Sequence, residues 1–462
     1  MLESETFPKS KGRIMTLTRG TGVSAAALAA ALLLAGCGGG EDGGGNAAAD
    51  VDCAAFEQYG DLAGTTVTFY TSVVAPDDAP YIASFEPFEQ CTGADVVYEG
   101  SREFEAQIVV RVQSGSPPDI ALFPQPGLLQ TVVRDTDAVV PAPASVVANV
   151  DDYYGQDWKP YGTIDGTFYA APNGASVKSL VWYSPGAFAQ AGYEIPQTWD
   201  ELVELSDQIV DDGGKPWCVG IASGDATGWP VTDWMEDVML RDKGPDVYDQ
   251  WVAHDIPFND PQVADVLERT GSILKNEEYV NGGFGDVRSI ASTAFQDAGL
   301  PVLDGNCFMH KQSSFYSSSW PEGTTVAEDG DVWAFPLPPI DESFGSPLLT
   351  GGEFVAAFSD RPEVQAFQTY LTSPEYVNAR AAEGNWTAPS TALDPENVPD
   401  PIARLGLELL QAPDATLRFD GSDLMPAAVG SASFWTEMTD WIANDKPDDE
   451  VLDAIEASWP SP

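Results

Sequence analysis

Thr66-Val-Thr-Phe-Tyr-Thr71 is a run of β-branched and aromatic residues of the kind that forms a buried strand. Two similar runs follow, Asp95-Val-Val-Tyr-Glu99 and Asp119-Ile-Ala-Leu-Phe123, and amphipathic stretches at 79–90 and 104–113 separate the three. Strands that alternate with helices are typical of a parallel sheet covered by helices. The region 66–123 therefore predicts an α/β fold.

The same alternation resumes further along the chain. Ser179-Leu-Val-Trp-Tyr183 predicts another strand, and Thr198-Trp-Asp-Glu201 is a capping box that opens a helix. Asp260-Pro261 predicts a further helix start, and residues 362–382 predict a helical pair broken at Pro374. The sequence therefore predicts two α/β lobes, the second of which interrupts the first.

The N-terminal segment has the pattern of an export signal. An apolar stretch at 23–35 is too short to span a bilayer, which needs about 20 apolar residues, and it follows four basic residues. Leu34-Ala-Gly-Cys37 closes this stretch as a lipobox, in which the sulfur of Cys37 carries diacylglycerol. Residues 1–36 are thus predicted to be a lipoprotein signal peptide, with Met15 as an alternative start. The other interpretation is an ordinary secretory signal in which Cys37 is incidental.

Residues 37–52 are rich in glycine and are predicted to form a flexible tether. The 462-residue chain has a formal net charge of −51, which repels phosphate backbones and anionic lipids. We therefore expect no nucleic-acid partner and no membrane contact apart from the lipid anchor. With two histidines and no CxxC or HExxH motif, we expect no metal site and no cofactor. The 13 tryptophans favour a surface that stacks on carbohydrate.

Four motifs appear in a fixed order: Ser114-Gly-Ser-Pro-Pro-Asp-Ile120, Tyr161-Gly-Thr-Ile-Asp-Gly-Thr-Phe-Tyr-Ala-Ala-Pro172, Leu180-Val-Trp-Tyr-Ser184 and Pro196-Gln-Thr-Trp-Asp-Glu-Leu202. This series resembles the extracellular sugar-binding proteins of ABC importers, the class that includes maltose-binding protein. Four more stretches resemble its α-glucoside-binding branch: Lys159-Pro-Tyr161, Pro172-Asn-Gly-Ala-Ser-Val-Lys178, Gly228-Trp-Pro230 through Asp233-Trp234, and Asp423-Leu-Met-Pro426. The resemblance covers residues 60–460.

The resemblance implies a two-lobed periplasmic-binding-protein-like fold, in which each lobe is a parallel-rich sheet flanked by helices. Crossing strands near 174–179 and 352–358 would join the lobes, which close over a sugar and pass it to a membrane permease. The expected first lobe is 53–176 plus 355–390, and the expected second lobe is 177–354 plus 391–462. We expect a monomer, anchored by its lipid on the outer face of the cytoplasmic membrane.

Four cysteines remain after lipidation, and outside the cytoplasm an even number predicts two disulfides. Three pairings are open. The two-lobed fold favours Cys53–Cys91 with Cys218–Cys307, because each bridge then stays within one lobe.

Matching motif to motif, the resemblance implies a sugar site between the lobes, where polar groups pair with hydroxyls and aromatic rings stack on apolar sugar faces. The first lobe would contribute Tyr70, Ser72, Glu99, Ser101, Arg102, Phe123 and Gln125. The rest of the site would be Asn173, Lys178, Trp229, Asp233, Trp234, Phe284, Phe315, Gly352, Asp420, Asp423 and Trp435. Pro126-Gly127 replaces a charged pair of maltose-binding protein, so oligosaccharide preference does not carry over.

Several of these residues have a structural alternative. Trp182 and Trp199 are predicted to pack in the core, whereas Trp229 and Trp435 fall at element edges amid polar residues, which favours ligand contact. Asp233 either contacts the ligand or caps a helix that starts at Trp234. Gly351-Gly352 is either a hinge with unusual backbone angles or a close approach to sugar. Asn385-Trp-Thr387 matches a glycosylation sequon, which we interpret as chance in a bacterial lipoprotein.

Two other classes of function remain as alternatives. A secreted glycosidase also uses tryptophan-rich clefts and needs two carboxylates about 5–10 Å apart. The chain has no GxSxG motif, however, and neither His254 nor His310 has a triad-like setting. The third class is a binder of peptides or metal chelates on the same fold. We expect a binding protein and not an enzyme.

Overall fold

The computed structural model describes residues 51–155, 158–283, 285–412 and 415–460, which belong to one unit, Val51–Pro462. The predicted signal peptide, the lipobox with Cys37, nearly all of the tether and Phe284 lie outside the described residues.

The strands are β1 (Thr66–Thr71), β2 (Asp95–Gly100), β3 (Ile120–Phe123), β4 (Thr163–Ile164), β5 (Thr167–Phe168), β6 (Ala170–Val177), β7 (Leu180–Tyr183), β8 (Trp217–Cys218), β9 (Val280–Asn281), β10 (Met309–Lys311), β11 (Trp333–Pro336), β12 (Leu348–Ala357) and β13 (Leu417–Phe419). The helices are α1 (Asp78–Thr92), α2 (Phe104–Gln113), α3 (Pro126–Asp135), α4 (Ala144–Tyr153), α5 (Pro185–Ala191), α6 (Trp199–Asp211), α7 (Trp229–Asp242), α8 (Pro245–Val252), α9 (Pro261–Leu274), α10 (Phe295–Ala298), α11 (Pro362–Tyr370), α12 (Pro374–Ala382), α13 (Pro401–Leu410), α14 (Gly421–Leu424), α15 (Trp435–Ala443) and α16 (Asp448–Ser458).

The first sheet has the order β13-β12-β3-β1-β2, and β6 pairs with β12. β1 runs parallel to both β2 and β3, with Thr66 opposite Asp95 and Phe69 opposite Ile120. The parallel sheet predicted from residues 66–123 is therefore confirmed. Because parallel strands end at the same edge, the residues that follow β1, β2 and β3 are brought together there.

The second sheet has the order β11-β7-β10-β8-β9. β7, the strand predicted at 179–183, runs antiparallel to β10 and β11, whereas β10, β8 and β9 are mutually parallel. The chain passes from the first sheet to the second between β6 and β7 and returns between β11 and β12. The second sheet is thus inserted in the chain between strands of the first, which agrees with the predicted α/β architecture.

The predicted residue bounds of the two lobes stay a prediction. Val398 and Leu407 pack in the hydrophobic core of the first sheet. Phe434 and Trp441 pack with the helices of the second sheet.

Local sequence signals explain several helix starts. The Thr198 hydroxyl accepts from the amide of Glu201 at 3.2 Å, but the Glu201 carboxylate accepts from the amide of Gln197 at 2.7 Å rather than from that of Thr198. The Asp260 carboxylate accepts from the amide of Gln262 at 2.9 Å, which confirms the predicted cap. α11 and α12 are the predicted helical pair, separated just before Pro374.

The two predicted disulfides are present. The Cα atoms of Cys53 and Cys91 are 5.3 Å apart, and those of Cys218 and Cys307 are 5.4 Å apart. Trp182 and Trp199 are buried, as predicted. Across the part of the chain that the structure describes, no helix has the length and apolar character that a membrane span requires.

Candidate ligand-binding site

A cavity of about 400 Å³ lies where the ends of the first sheet's strands meet helices packed on the second sheet. This volume falls within the range of about 300–1,000 Å³ that small-molecule sites occupy. No group of three or more His, Cys, Asp or Glu within the described ranges is arranged to hold a metal ion.

The first wall of the cavity is formed at the carboxyl ends of three parallel strands. Ser72 follows β1, Arg102 follows β2 and Gln125 follows β3, and all three line the cavity. The Gln125 side-chain amide donates to the Glu105 carboxylate at 3.0 Å. Burial raises the pKa of Glu105. The sheet topology therefore places polar groups of three strands on one face of the cavity.

The opposite wall is aromatic. Trp229 is the first residue of α7, and its ring centroid lies 5.0 Å from that of Phe295 and 6.1 Å from that of Phe315. Trp435 is the first residue of α15 and is almost fully buried. All four rings line the cavity. Trp229 lies at the start of its helix, as the sequence indicated, whereas Trp435 continues the helical turn Val429–Phe434.

Lys178, between β6 and β7, supports this aromatic wall. Its ammonium group lies 5.3 Å from the Trp229 ring centroid, 3.1 Å from a carboxylate oxygen of Asp233 and 3.9 Å from one of Asp423, and it also pairs with Asp420. The side chains of all three acids are buried. A buried lysine with three carboxylates around it is held in one position.

Burial and like charge set the ionisation of these acids. Burial raises the pKa of Asp233 to about 7, with Lys178 opposing the shift and Asp420 adding to it. Burial and the neighbouring Asp420 raise the pKa of Asp423 well above its usual range. For Asp420 burial acts in the same direction, but Lys178 together with hydrogen bonds from Asp233 and the Asp423 amide lowers the pKa. The raised pKa of Asp423 favours its protonated form, which can donate as well as accept a hydrogen bond.

A second group of cavity residues lies on β12, on α12 and in the segment that follows α12. Glu353, Arg380, Asn385, Trp386 and Thr387 all line the cavity. The Arg380 guanidinium carbon lies 4.3 Å from the Tyr81 ring centroid and 5.4 Å from that of Trp386. Burial raises the pKa of Glu353 to about 7, against the opposing effect of Arg380.

The structure brings nine of the predicted site residues to the cavity: Ser72, Arg102, Gln125, Lys178, Trp229, Phe315, Gly352, Asp423 and Trp435. Asp233 and Asp420 do not line it but hold Lys178. Six more of the described residues lie elsewhere. Tyr70 and Glu99 lie against Arg111, Ser101 accepts from the amide of Glu103, and Asn173 donates to the carbonyl of Leu371. Phe123 and Trp234 pack in the core.

The sequence did not predict these other residues that line the cavity: Asp77, Tyr81, Glu105, Phe295, Glu353, Arg380, Asn385, Trp386 and Thr387. The sequence marks Asn385, Trp386 and Thr387 only as a match to a glycosylation sequon. No local pattern marks the remaining ones, because their roles depend on how distant elements pack.

Two interpretations need correction. The helix-cap role of Asp233 is wrong, because α7 already begins at Trp229 after Gly228, and Asp233 lies inside the helix. Unusual backbone angles do not explain Gly351-Gly352, since neither has a positive φ. A Cβ on Gly351 would lie 2.8 Å from Lys178 Cε, and one on Gly352 would lie 2.6 Å from the carbonyl oxygen of Gly174. Close packing against protein atoms therefore explains why both positions carry glycine.

An α/β fold whose cavity has strand-end polar groups on one wall and aromatic rings on the other defines a solute-binding protein of the two-lobed class. The profile of the bacterial extracellular solute-binding protein family matches residues 71–378. The chain is 40% identical over 87% of its length to the osmoprotective compounds-binding protein GgtB of Synechocystis, covering 94% of that protein. It is 38% identical over 88% of its length to the alpha-glucosides-binding periplasmic protein AglE of Rhizobium meliloti, covering 89% of it. The chain belongs to this family.

Solved structures show the same fold. The bacterial solute receptor AcbH superposes with a TM-score of 0.72 at 17% identity, over 85% of this chain and 98% of that one. Maltose-bound MalE3 of T. maritima gives a TM-score of 0.67 at 16% identity, over 85% of this chain and 98% of that one. These likenesses confirm the two-lobed periplasmic-binding-protein-like fold.

Family membership determines the class of function. The protein is the solute-binding component of an ABC importer, and a place outside the cytoplasm, extracellular or periplasmic, fits this family. Its relatives are binding proteins and not enzymes, so the glycosidase alternative is wrong.

Proposed function

We propose that this protein captures an α-glucoside, such as trehalose, maltose or sucrose, in the cavity and delivers it to the permease of an ABC importer. Two relatives that match most of the chain support this proposal, since AglE is named for α-glucosides and GgtB for osmoprotective compounds. The resemblance of residues 172–178 and 423–426 to the α-glucoside-binding branch agrees with those names.

The arrangement around Trp229 is the observation that carries the proposal. Its partly exposed ring lines the cavity and is backed by Phe295 and Phe315, so that it is fixed in position. Asp423 on the same side and Gln125 on the opposite wall supply hydrogen-bonding groups. A sugar needs both kinds of contact, because its hydroxyls pair with polar groups and its C–H faces stack on aromatic rings.

The charges that line the cavity favour a neutral ligand. The acids are Asp77, Glu105, Glu353 and Asp423, and the cations are Arg102, Lys178 and Arg380. Both signs are interspersed, and Lys178 is already paired with carboxylates. Such a lining offers no concentrated positive field for a sugar phosphate.

Calorimetry on the purified protein tests this assignment. We expect at least one of trehalose, maltose and sucrose to bind with micromolar or tighter affinity, about −8 kcal/mol or better. Because a sugar that contacts both lobes binds the closed state preferentially, it should also raise the melting temperature. A peptide or metal chelate that raises the melting temperature, while no α-glucoside does, would overturn the proposal.

We also propose that Cys37 is lipidated and that residues 37–52 tether a monomeric binding domain to the outer face of the cytoplasmic membrane. The lipobox Leu34-Ala-Gly-Cys37 behind a basic segment supports the anchor. In a bacterial host, the wild type should partition into the detergent phase, and Cys37→Ala should not. Light scattering of a tether-free form should give the monomer mass. Aqueous partition of the wild type, or a dimer mass, would contradict the corresponding part of the proposal.

A further inference from the structure

The segment Asn385–Thr387 is held firmly at the edge of the cavity. The Ala175 amide of β6 donates to the carbonyl of Thr387 at 2.9 Å, and Arg380 donates through Nη1 to the carbonyl of Gly384 at 3.0 Å. Gly384 has a φ of 85° and ends the turn that follows α12, directly before the segment. These bonds attach the segment to β6 and to α12.

This region leaves three buried polar atoms without a hydrogen-bond partner in the part of the chain that the structure describes. They are Arg380 Nε, Trp386 Nε1 and Thr387 Oγ1. Arg380 is 3% exposed, Trp386 7% and Thr387 2%, and all three residues line the cavity. Since a buried polar group without a partner costs about 1–3 kcal/mol, three of them in one part of the cavity indicate that a ligand completes their bonding.

Glu353 adds an acceptor to this group. A Cβ on Gly174 would collide with Glu353 Oε2 and would lie 2.6 Å from Trp386 Nε1. The absence of a side chain at Gly174 therefore lets the carboxylate and the indole converge. A register shift in β12 between Gly352 and Phe354 places Glu353 at the irregular point of the strand, where a side chain can be redirected.

β12 connects this group to the aromatic wall. Gly351 packs on Lys178, whose ammonium group lies over Trp229, and Glu353 lies two residues further along the strand. Two residues of strand span about 7 Å. The cavity thus has polar groups to satisfy at two separate places, at Trp229 with Asp423 and at Glu353 with Trp386.

We propose that Glu353, Arg380, Trp386 and Thr387 form a distal subsite that hydrogen-bonds the second unit of an uncharged, disaccharide-sized ligand, while Trp229 and Asp423 hold the first unit. The inference rests on the proposed function and assigns the residues that bind the second unit of its ligand. A single sugar ring at Trp229 leaves the distal groups unpaired, and a site built to bond hydroxyls discriminates strongly against a ligand that lacks them.

Trp386→Phe and Thr387→Val test the subsite, because each removes one unpartnered polar atom and keeps most of the side-chain volume. Calorimetry would compare the disaccharide that the wild type binds best with methyl α-glucoside, which has no second unit. Each variant should weaken disaccharide binding about 5- to 30-fold, the equivalent of one lost hydrogen bond. Methyl α-glucoside affinity should change less than about twofold on the same scale. The sugar-free melting temperature should stay equal or rise.

Trp320→Phe is the matched control. Trp320 is also 7% exposed, and its Nε1 also has no hydrogen-bond partner among the described residues, but it does not line the cavity. This variant should leave both affinities unchanged.

The possible outcomes separate the two proposals. If the wild type binds a disaccharide and both distal variants bind it equally well, the distal subsite is wrong and the proposed function stands. Equal losses for the disaccharide and methyl α-glucoside, with a lower melting temperature, would show a structural role and also overturn the subsite. If the wild type binds no α-glucoside at all, the proposed function fails and the inference fails with it.

Discussion

The ammonium group of Lys178 lies 5.3 Å from the centre of the Trp229 ring while it pairs with the buried carboxylates of Asp233 and Asp420. One buried cation thus links a ring that lines the cavity to charges that do not. Its position depends on these carboxylates, and a cation over an aromatic face is worth roughly 0.5–2 kcal/mol. The aromatic wall and the charges beneath it should therefore respond to mutation in different ways.

Trp229→Ala should weaken sugar binding without a comparable loss of stability. Burying a large apolar side chain against ligand contributes about 1–3 kcal/mol, so affinity should fall roughly 5- to 150-fold. Because the Trp229 ring is only partly buried in the sugar-free protein, its melting temperature should change little. Trp435→Ala is the contrasting variant: Trp435 is 3% exposed and its loss should cost about 3–5 kcal/mol of folding free energy. A large drop in the melting temperature of sugar-free Trp229→Ala would show that Trp229 is a core residue and not a ligand contact.

Lys178→Met should strongly destabilise the fold. The substitution leaves Asp233 and Asp420 buried without their cation, and breaking a buried pair on one side costs about 3–5 kcal/mol. Arg134→Ala removes the exposed pair with Asp165 and should cost less than about 1 kcal/mol. Urea unfolding of both variants measures the difference. Equal, small losses would mean that Asp233 and Asp420 do not depend on Lys178.

The fold was predictable from sequence because its signals are local. Runs of β-branched and aromatic residues predicted β1, β2, β3 and β7. Thr198 and Asp260 predicted helix starts, which their side chains cap. The strand ends at Ser72, Arg102 and Gln125 reach the cavity because parallel strands end at one edge, a rule that needs no side-chain detail.

The rest of the site depends on packing between segments far apart in the chain. Trp229 and Trp234 lie on the same helix and are five residues apart, yet Trp229 lines the cavity and Trp234 packs on Trp217 with ring centroids 5.0 Å apart. Their surroundings in sequence are similarly polar, and only the orientation of α7 separates them. Arg380 and Glu353 meet through α12 and β12, which no spacing rule connects.

Glu353→Gln should change how stability depends on pH. The pKa of Glu353 is raised to about 7 by burial, above the ordinary value of about 4.3 expected in the unfolded chain. Between these values the folded state holds a proton that the unfolded state has released, so this group's contribution to stability falls as pH rises. Glutamine does not titrate. As the pH rises from 5 to 8, the free energy of unfolding of Glu353→Gln should therefore gain about 2 kcal/mol relative to that of the wild type.

Urea unfolding of the sugar-free protein at the two pH values measures this gain. Glu322→Gln, at an exposed position, is the control and should show the same pH dependence as the wild type. Parallel curves for Glu353→Gln and the wild type would contradict the prediction.

The two disulfides should contribute unequally to stability. The bridges close segments of 38 and 89 residues, and the loop-entropy relation gives about 4 and about 5 kcal/mol, respectively. Replacing Cys53 and Cys91 together by serine should therefore cost slightly less than replacing Cys218 and Cys307 together. Denaturant unfolding of the two double variants compares them, and the reverse order would show that the loop-entropy relation does not govern these bridges.

Gly352→Ala should both destabilise the protein and weaken binding, because Gly352 packs tightly against the paired strand β6. An added Cβ would lie 2.6 Å from the carbonyl oxygen of Gly174 and 2.8 Å from the ring of Trp158. The carbonyl oxygen belongs to the backbone of the paired strand and cannot rotate away, so overpacking should cost about 1–3 kcal/mol. The strain falls beside the register shift that positions Glu353, so sugar affinity should also fall.

Gly186→Ala is the matched control for this substitution. Gly186 lies in α5, and its added Cβ would come no closer than 3.9 Å to any atom beyond its neighbours, here Ser184 Oγ. Alanine suits a helix better than glycine by up to about 1 kcal/mol, so this variant should be neutral or more stable and should bind normally. Unfolding and calorimetry on both variants compare them. A Gly352→Ala protein as stable as the wild type would mean that β6 and β12 separate easily at this point, as a hinge between the lobes would allow.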